Sequence, residues 1–198
     1  MDALRTHLPE IAVAAALAWG SGLRLYAVLF LVGLAGWLGW IELPIHLRLL
    51  AHPLVLGASG FMTFVEFLAD KVPWVDSIWD VVHTFIRIPA GAALAVAVFG
   101  DSGTAVMLAA AILGGGVAAG THFTKAGGRA VINTSPEPFT NWSASLLEDG
   151  LVPAGLWIAI AHPIVFLVLL FMFAIVAVLL LRHVARGLRL LVAHLRGR

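Results

Sequence analysis

The sequence predicts an all-α integral membrane protein with about five or six transmembrane or re-entrant helices, on the evidence of its composition, hydropathy and long apolar stretches. Of its 198 residues, 61% are hydrophobic and only 12% are charged, and the mean hydropathy is +1.00. Soluble domains contain about 45–50% apolar and about 25% charged residues. We therefore expect one membrane domain over residues 1–198.

Four stretches reach the roughly 20 apolar residues that a helix needs to cross a bilayer. A fifth has a polar first half. Pro153 and Pro163 interrupt the last stretch, which predicts either one kinked helix or a re-entrant piece followed by a span. The N-terminus lacks a clear signal-peptide cleavage site, so the first stretch is expected to be retained. The four stretches are 11–40, 49–69, 104–133 and 151–181, and the fifth is 74–99.

The distribution of arginine predicts the orientation. No acidic residue follows Asp149, whereas arginines are frequent after residue 181, and cytoplasmic ends of spans are rich in Lys and Arg. The sequence therefore predicts a cytoplasmic C-terminus, an acidic loop at 134–149 outside, the segment with His46 and Arg48 inside, and the N-terminus outside. The basic tail, 182–198, fits either a solvated end or an interfacial helix on anionic headgroups. Its arginines are Arg182, Arg186, Arg189, Arg196 and Arg198.

A short motif occurs twice and predicts an inverted-topology repeat. The sequence Ala-His-Pro-Leu-Val at 51–55 recurs as Ala-His-Pro-Ile-Val at 161–165, with Phe-Met at the same offset after each. The first repeat covers about 9–100 and the second about 104–185. Inverted repeats build the midplane sites of many secondary transporters. Chance similarity between apolar segments is the alternative explanation.

Charged residues inside the first span indicate a functional site. Arg24 and Tyr26 follow Gly20-Ser21-Gly22, where glycines allow the helix to unwind or another backbone to approach. An arginine at this depth is costly unless it is paired or faces a cavity. The alternative is a helix-packing notch with a snorkelling arginine.

An acidic stripe begins at the end of the second span. Glu66 and Asp70 lie four residues apart and share one helix face. Farther on, side chains at i, i+4, i+7 and i+11 form a second polar line on an amphipathic helix. The imidazole of His83, the third residue of this line, has an unperturbed pKa of about 6.5, which suits proton coupling. The alternative is an interfacial helix with one wet face. The line consists of Asp76, Asp80, His83 and Arg87.

A cationic stripe lies on the span at 104–133. Its four polar side chains follow i, i+3, i+7 and i+11, so they share one helix face. The two stripes are expected either to neutralise each other as structure or to leave a residual charge that binds an anion or moves a proton. The polar groups at 134–149 would line a site if buried and would form an ordinary loop if exposed. The stripe consists of His122, Lys125, Arg129 and Asn133.

With these segments identified, the chain resembles an uncharacterised bacterial family of multi-pass membrane proteins, domain of unknown function 4126. The resemblance extends over most of the chain. It implies an integral protein of the bacterial cytoplasmic membrane and supplies no activity. The residues that carry it lie at 22–26, 66–73, 79–87, 122–129, 133–136 and 148–149.

These patterns favour a transporter of a small or anionic solute, such as a lipid phosphate head group, driven by protons or cations. The alternatives are an intramembrane enzyme acting on a lipid or isoprenoid and a scaffold subunit whose charges simply pair. Substrate binding is assigned to Arg24, Tyr26, Arg87, His122, Lys125, Arg129 and Asn133, and coupling to Glu66, Asp70, Asp76, Asp80 and His83.

The predicted partners are membrane lipids, the solute and a second copy of the chain. A net charge of +1 and the absence of a clustered basic face on a soluble scaffold exclude a nucleic-acid footprint. No cofactor motif is present, so no cofactor is predicted. The spacing of Asp76, Asp80 and His83 is only a weak indication of a metal.

Overall fold

The structure, a computed structural model, describes residues 2–100, 102–133 and 138–196 and is built from α-helices. Five of these helices are long and apolar enough to cross a membrane, and a sixth crossing results if a bent pair of helices is one span. The described part thus confirms the predicted all-α, multi-pass architecture. The helices are α1 (Asp2–Trp37), a 3-10 helix (Ile45–Ala51), α2 (Pro53–Ala69), α3 (Pro73–Val98), α4 (Thr104–Ile132), α5 (Pro138–Ala161) and α6 (Pro163–Arg196).

Helix α1 is broken at Arg24, whose φ of −145° and ψ of 82° lie outside the helical region. A Cβ built on Gly20 would lie 2.7 Å from a methyl carbon of Val28, whereas eight residues of continuous helix span about 12 Å. Leu17 before the break and Val32 after it line the same cavity. The predicted first span is therefore a hairpin of two helical arms with Arg24 at its tip.

The two His-Pro motifs both lie where one helix ends and the next begins. The 3-10 helix ends at Ala51, His52 caps the next helix by accepting a hydrogen bond from the Leu54 amide (3.2 Å), and the two axes differ by 68°. His162 separates α5 from α6 in the same way, with Pro163 as the first residue of α6. Proline is well suited to a first helical position because it has no amide hydrogen to satisfy. The inverted repeat itself stays a prediction.

The region 134–161 differs from the predicted loop and span. From Pro138 onward the chain is helical, so the polar residues around Glu148 belong to the first half of α5 rather than to an outer loop. The predicted stretch 151–181 is neither of the two expected arrangements. It contains the second half of α5 and the first half of α6, two separate helices that each have the length and hydropathy of a span.

The bundle has two opposite ends, which we name by their contents. The N-terminal face contains the start of α1, residues 41–44, and the ends of α3 and α5, because Glu10, Leu43, Val98 and Ile160 line one cavity. The charged face contains the ends of α2 and α4 and the starts of α3 and α5. Helix α6 runs toward the charged face, since Leu181 lies 3.9 Å from a Cβ built on Gly127.

This arrangement corrects two relations in the predicted orientation. The N-terminus and the segment with His46 were expected on opposite sides of the membrane, yet they share the N-terminal face because α1 folds back on itself. The segment 134–149 and the C-terminus were also expected on opposite sides. The described part of that segment, 138–149, and the second half of α6 instead both lie toward the charged face, because α5 and α6 are two antiparallel helices.

Candidate functional site

Charged and polar side chains from five helices converge in the interior near the charged face, and we call this group the charged cluster. Helices α1 to α5 each contribute to it. Its members are almost fully buried, although charged side chains are rarely buried unless they are paired. All twelve residues assigned to the site from the sequence lie in it or directly beside it. The fully or nearly buried members are Arg24, Glu66, Asp70, Asp76, Asp80, His83, Arg87, His122, Lys125, Arg129, Asn141 and Ser145.

Asp70, which caps the C-terminus of α2, is the hub of the cluster. Its Oδ2 atom lies 2.7 Å from Arg24, 3.3 Å from Lys125 and 3.8 Å from Arg129. Burial raises the pKa of this carboxyl, but the charges of Lys125, Arg24 and Arg129 outweigh burial and hold the pKa below its usual value. Asp70 therefore remains an anion that joins α2 to α1 and α4.

Arg24 reaches the cluster because it occupies the tip of the α1 hairpin. Its Nη2 donates to Ser145 Oγ over 3.0 Å, and its Nε lies 2.8 Å from Asp149 Oδ1. Lys71 binds the same two partners, donating to Ser145 Oγ over 2.7 Å and lying 3.7 Å from Asp149. Burial lowers the pKa of Lys71. The hairpin tip is thus held between the end of α2 and the first half of α5.

Arg129 and Lys125 on α4 share one carboxylate, Glu148 of α5. Arg129 donates two parallel hydrogen bonds to the oxygens of Glu148, both 3.1 Å long, which is the strongest geometry for an arginine–carboxylate pair. Lys125 lies 3.3 Å from Glu148 and donates to the Leu23 carbonyl oxygen. Arg129 also donates to the side chain of Asn141. Arg129 and Lys125 therefore connect α4 to α5.

Sequence reasoning missed the contribution of α5. Glu148 and Asp149 were placed in an outer loop whose polar groups would line a site if buried, and Asn141 was predicted only to cap a short helix through Glu148. Their spacing at 141, 145 and 148 does follow one helix face. That signal was available, but the prolines at 136 and 138 favoured a loop.

Arg87 pairs with two carboxylates of the cluster, one on α2 and one on α3. It donates to Glu66 over 2.5 Å and to Asp80 over 2.7 Å, and all three side chains are buried. Its Nη1 also donates to His122 Nδ1 over 3.3 Å. That contact leaves the Nε2 hydrogen of His122 to bond Thr84 Oγ1, 2.7 Å away. Arg87 thus acts as the internal counter-ion of the acidic stripe.

His83 lies beside this group with hydrogen bonds that define its tautomer. Its Nδ1 lies 2.8 Å from the Trp79 carbonyl oxygen, which can only accept, so Nδ1 carries the hydrogen. In the neutral ring Nε2 then accepts from the Tyr26 hydroxyl, 3.1 Å away. Asp80, three residues before His83, pairs with Arg87, whereas His83 makes its side-chain hydrogen bond with the Tyr26 hydroxyl.

Asp76 is the carboxylate of the cluster that has no cationic partner within salt-bridge distance in the described part of the chain. One of its oxygens accepts from the Asn133 amide over 3.0 Å, and the other has no hydrogen-bond partner. Six carboxylates therefore face five cationic side chains in the cluster. The carboxylates are Glu66, Asp70, Asp76, Asp80, Glu148 and Asp149, and the cations are Arg24, Lys71, Arg87, Lys125 and Arg129.

A small cavity of about 170 Å³ adjoins the cluster between α4, α5 and α6. Lys125, Arg129 and Glu148 form its polar wall, and Phe173 of α6 closes it from the other side. Both cations of α4 contribute to the lining of this cavity, and their side chains are almost fully buried. In residues 2–100, 102–133 and 138–196 no three His, Asp or Glu side chains converge in the manner of a metal site. Asp76, Asp80 and His83 each have a different partner instead.

The fold and the cluster define the class of this protein, a multi-pass α-helical membrane protein with a buried network of ionisable side chains. Over residues 11–183 the chain matches the family described as Domain of unknown function (DUF4126), and it belongs to that family. No curated protein matches the chain. No solved structure matches it either.

Proposed function

We propose that the protein transports a small anion across the bacterial cytoplasmic membrane together with protons, and that the charged cluster is the binding and coupling site. The observation that carries the proposal is Asp76, a fully buried carboxylate that has no cationic partner within salt-bridge distance in the described part of the chain. A net charge buried in a membrane is costly. Binding of a proton removes that cost, so the cluster is suited to take up and release protons.

Coupling to an anion follows from how the α4 cations are held. Glu148 occupies both Arg129 and Lys125 at 3.1 and 3.3 Å, beside the small cavity. An anion that enters the cavity would compete with Glu148 for these two cations. A proton on Asp76 would offset the added negative charge, so proton and anion would bind together.

The break in α1 supports transport as well. Discontinuous helices place irregular backbone and charged groups at the substrate sites of many secondary transporters. Here the break brings Arg24 to Asp70 and Asp149. Movement of the hairpin tip would change these contacts directly, and with them the charge balance of the cluster.

The test uses purified protein in proteoliposomes that contain a pH-sensitive dye. Inorganic phosphate, sulfate and acetate are added outside, and short-chain phosphatidic acid tests whether the phosphate group must be part of a lipid. We expect one of these anions to drive proton entry in the wild type. Asp76→Asn, which mimics the protonated side chain, should bind the anion equally well at pH 5 and pH 8, whereas Arg129→Gln should not bind it.

A scaffold function has one observation in its favour, since all five cations of the cluster already pair with a carboxylate. Under that alternative no anion would move protons or raise the melting temperature at any pH. The Asp76→Asn variant would then change stability alone. This combination of results would exclude the transport proposal.

A further inference from the structure

A larger cavity lies at the N-terminal face, away from the charged cluster. Its volume is about 380 Å³, within the range of about 300–1,000 Å³ that is usual for small-molecule sites. It exists because the two arms of α1 diverge from their tip at Arg24, and the ends of α3 and α5 close the sides. The wall is aliphatic, as Leu17, Val32 and Leu156 illustrate.

The charged side chains that line this cavity are two carboxylates, Glu10 and Glu42. Both are exposed, so they form its rim rather than its interior. Glu10 contacts His7 over 2.9 Å. Glu42 makes no ion pair or hydrogen bond with any residue that the structure describes. The cavity therefore combines an apolar interior with an anionic rim.

We propose that this cavity binds an amphipathic organic cation, an alkyl chain with an ammonium head. The chain lies among the aliphatic side chains, and the head lies between Glu10 and Glu42. The lining contains no aromatic ring, which argues against a cage for a quaternary ammonium. A fatty acid or an anionic lipid would bring a negative head group against two carboxylates.

The chain and the head contribute to affinity to different extents. Each additional buried methylene is expected to strengthen binding about fourfold until the cavity is full. An exposed ion pair contributes much less, so loss of one rim carboxylate is expected to weaken binding about two- to fivefold. Chain length should therefore determine affinity, while the rim determines which head group is accepted.

The proposal is tested on the full chain in lipid nanodiscs with three diazirine-bearing probes of equal length, a decylammonium, a decanol and a decanoate. Adducts are mapped by mass spectrometry. We expect saturable labelling of residues 9–17 and 41–47, strongest for the ammonium and weakest for the carboxylate. Glu42→Gln should reduce ammonium labelling two- to fivefold, and Glu42→Lys should reverse the preference in favour of the carboxylate.

A second pair of variants tests the cavity itself. Ala16→Phe fills the interior and should abolish saturable labelling, whereas Ala109→Phe on the exposed face of α4 should leave it unchanged. If Ala16→Phe does not fold, the two Glu42 variants, which change an exposed side chain, still decide the matter. Equal labelling by all three probes, independent of residue 42, would mean that a lipid chain fills the cavity and would overturn the proposal. Labelling outside the cavity would overturn it as well.

Discussion

Burial and charge act in opposite directions on Asp70, and charge prevails. Its pKa in the folded state is below the usual value of 3.8, so its contribution to stability is present above that pH and is lost as the pH falls through the folded-state value. We expect Asp70→Asn to destabilise the protein by about 3–5 kcal/mol at pH 7, because three cations lose their common partner. The variant should also lose less stability than the wild type on acidification below about pH 4.

Thermal melts of the two proteins in detergent between pH 3 and pH 8 test this expectation. Glu42→Gln is the matched control, since its side chain is exposed and its removal should change stability by no more than about 0.5 kcal/mol. If the melting temperatures of the wild type and of Asp70→Asn fell equally on acidification, Asp70 would not be the cause of the acid sensitivity.

The two hydrogen bonds between Arg129 and Glu148 predict a specific pattern of rescue. Arg129→Ala and Glu148→Ala should each be strongly destabilising, and the double variant should lose about 0.5–3 kcal/mol less than the sum of the two. Combining Arg129→Ala with Glu66→Ala should give additive losses, because Glu66 pairs with Arg87 instead. Rescue by Glu66→Ala rather than by Glu148→Ala would contradict the pairing.

Single residues of the site could be predicted from the sequence, but their partners could be predicted only within one helix. Asp80 and Arg87 lie seven residues apart on one helix face, and they do pair. Glu148 could not be assigned to Arg129, because that pairing depends on how α5 is placed against α4 in three dimensions. The same holds for Tyr26 and His83, which are 57 residues apart.

At the level of elements, the hairpin in α1 predicts a short distance between two positions that a straight helix would separate. Glu10 and Glu42 line the same cavity, whereas residues 10 and 37 of a continuous helix would be about 40 Å apart. The chain has no cysteine, so Glu10→Cys and Glu42→Cys can be introduced together. We expect a bis-maleimide of about 10 Å to join them.

The control pair for this cross-link is Glu10→Cys with Ser143→Cys, because residue 143 lies in the half of α5 near the charged face. Cross-linking must be intramolecular, which is judged from the migration of the monomer on a gel. A control pair that reacts as readily as the Glu10 and Glu42 pair would refute the hairpin.

The glycines of α1 and α4 show which part of helix packing can be predicted from the sequence and which part cannot. The sequence indicates that glycines in α1 and α4 allow close contact, but it does not show which ones are used. A Cβ built on Gly22 would lie 2.5 Å from the Ala118 carbonyl oxygen, whereas one built on Gly120 would have no described atom within 4 Å. Gly22 is therefore a crossing point of α1 and α4, and Gly120 is not.

These two glycines give opposite expectations for substitution by alanine. Gly22→Ala should destabilise the protein by about 1–3 kcal/mol, because the added methyl meets backbone that cannot move aside easily. Gly120→Ala should be neutral or stabilise by up to about 1 kcal/mol, since alanine favours the helix over glycine. Melting temperatures of the two variants, measured in the same detergent, test the contrast. Equal losses for both would show that the α1–α4 crossing is not at Gly22.

The arrangement of the whole molecule was the least predictable part, although its class was evident from composition. Five or six spans follow from apolar length alone, and five described helices have that length and hydropathy, although one of them, α1, folds back at Arg24. The direction of each helix could not be predicted in this way. The hairpin in α1 and the helical first half of α5 were not recognised, and each places on one face two segments that were expected on opposite sides of the membrane. Local periodicity contains no information on whether a long apolar stretch folds back at its centre.

The corrected arrangement changes what the basic tail predicts for the membrane. Helix α6 reaches the charged face near Leu181, and Arg182, Arg186 and Arg189 follow in the helical segment beyond it. Since cytoplasmic ends are rich in arginine, we expect the charged face, with the cluster beside it, to be cytoplasmic and the N-terminal face to be external. The cluster would then take its protons from the cytoplasmic side.

An impermeant thiol reagent applied to intact cells should accordingly label Glu42→Cys and spare Ser143→Cys until the membrane is permeabilised. The reverse pattern would place the cluster on the external side, and labelling of both residues from one side would contradict the assignment of the two faces themselves.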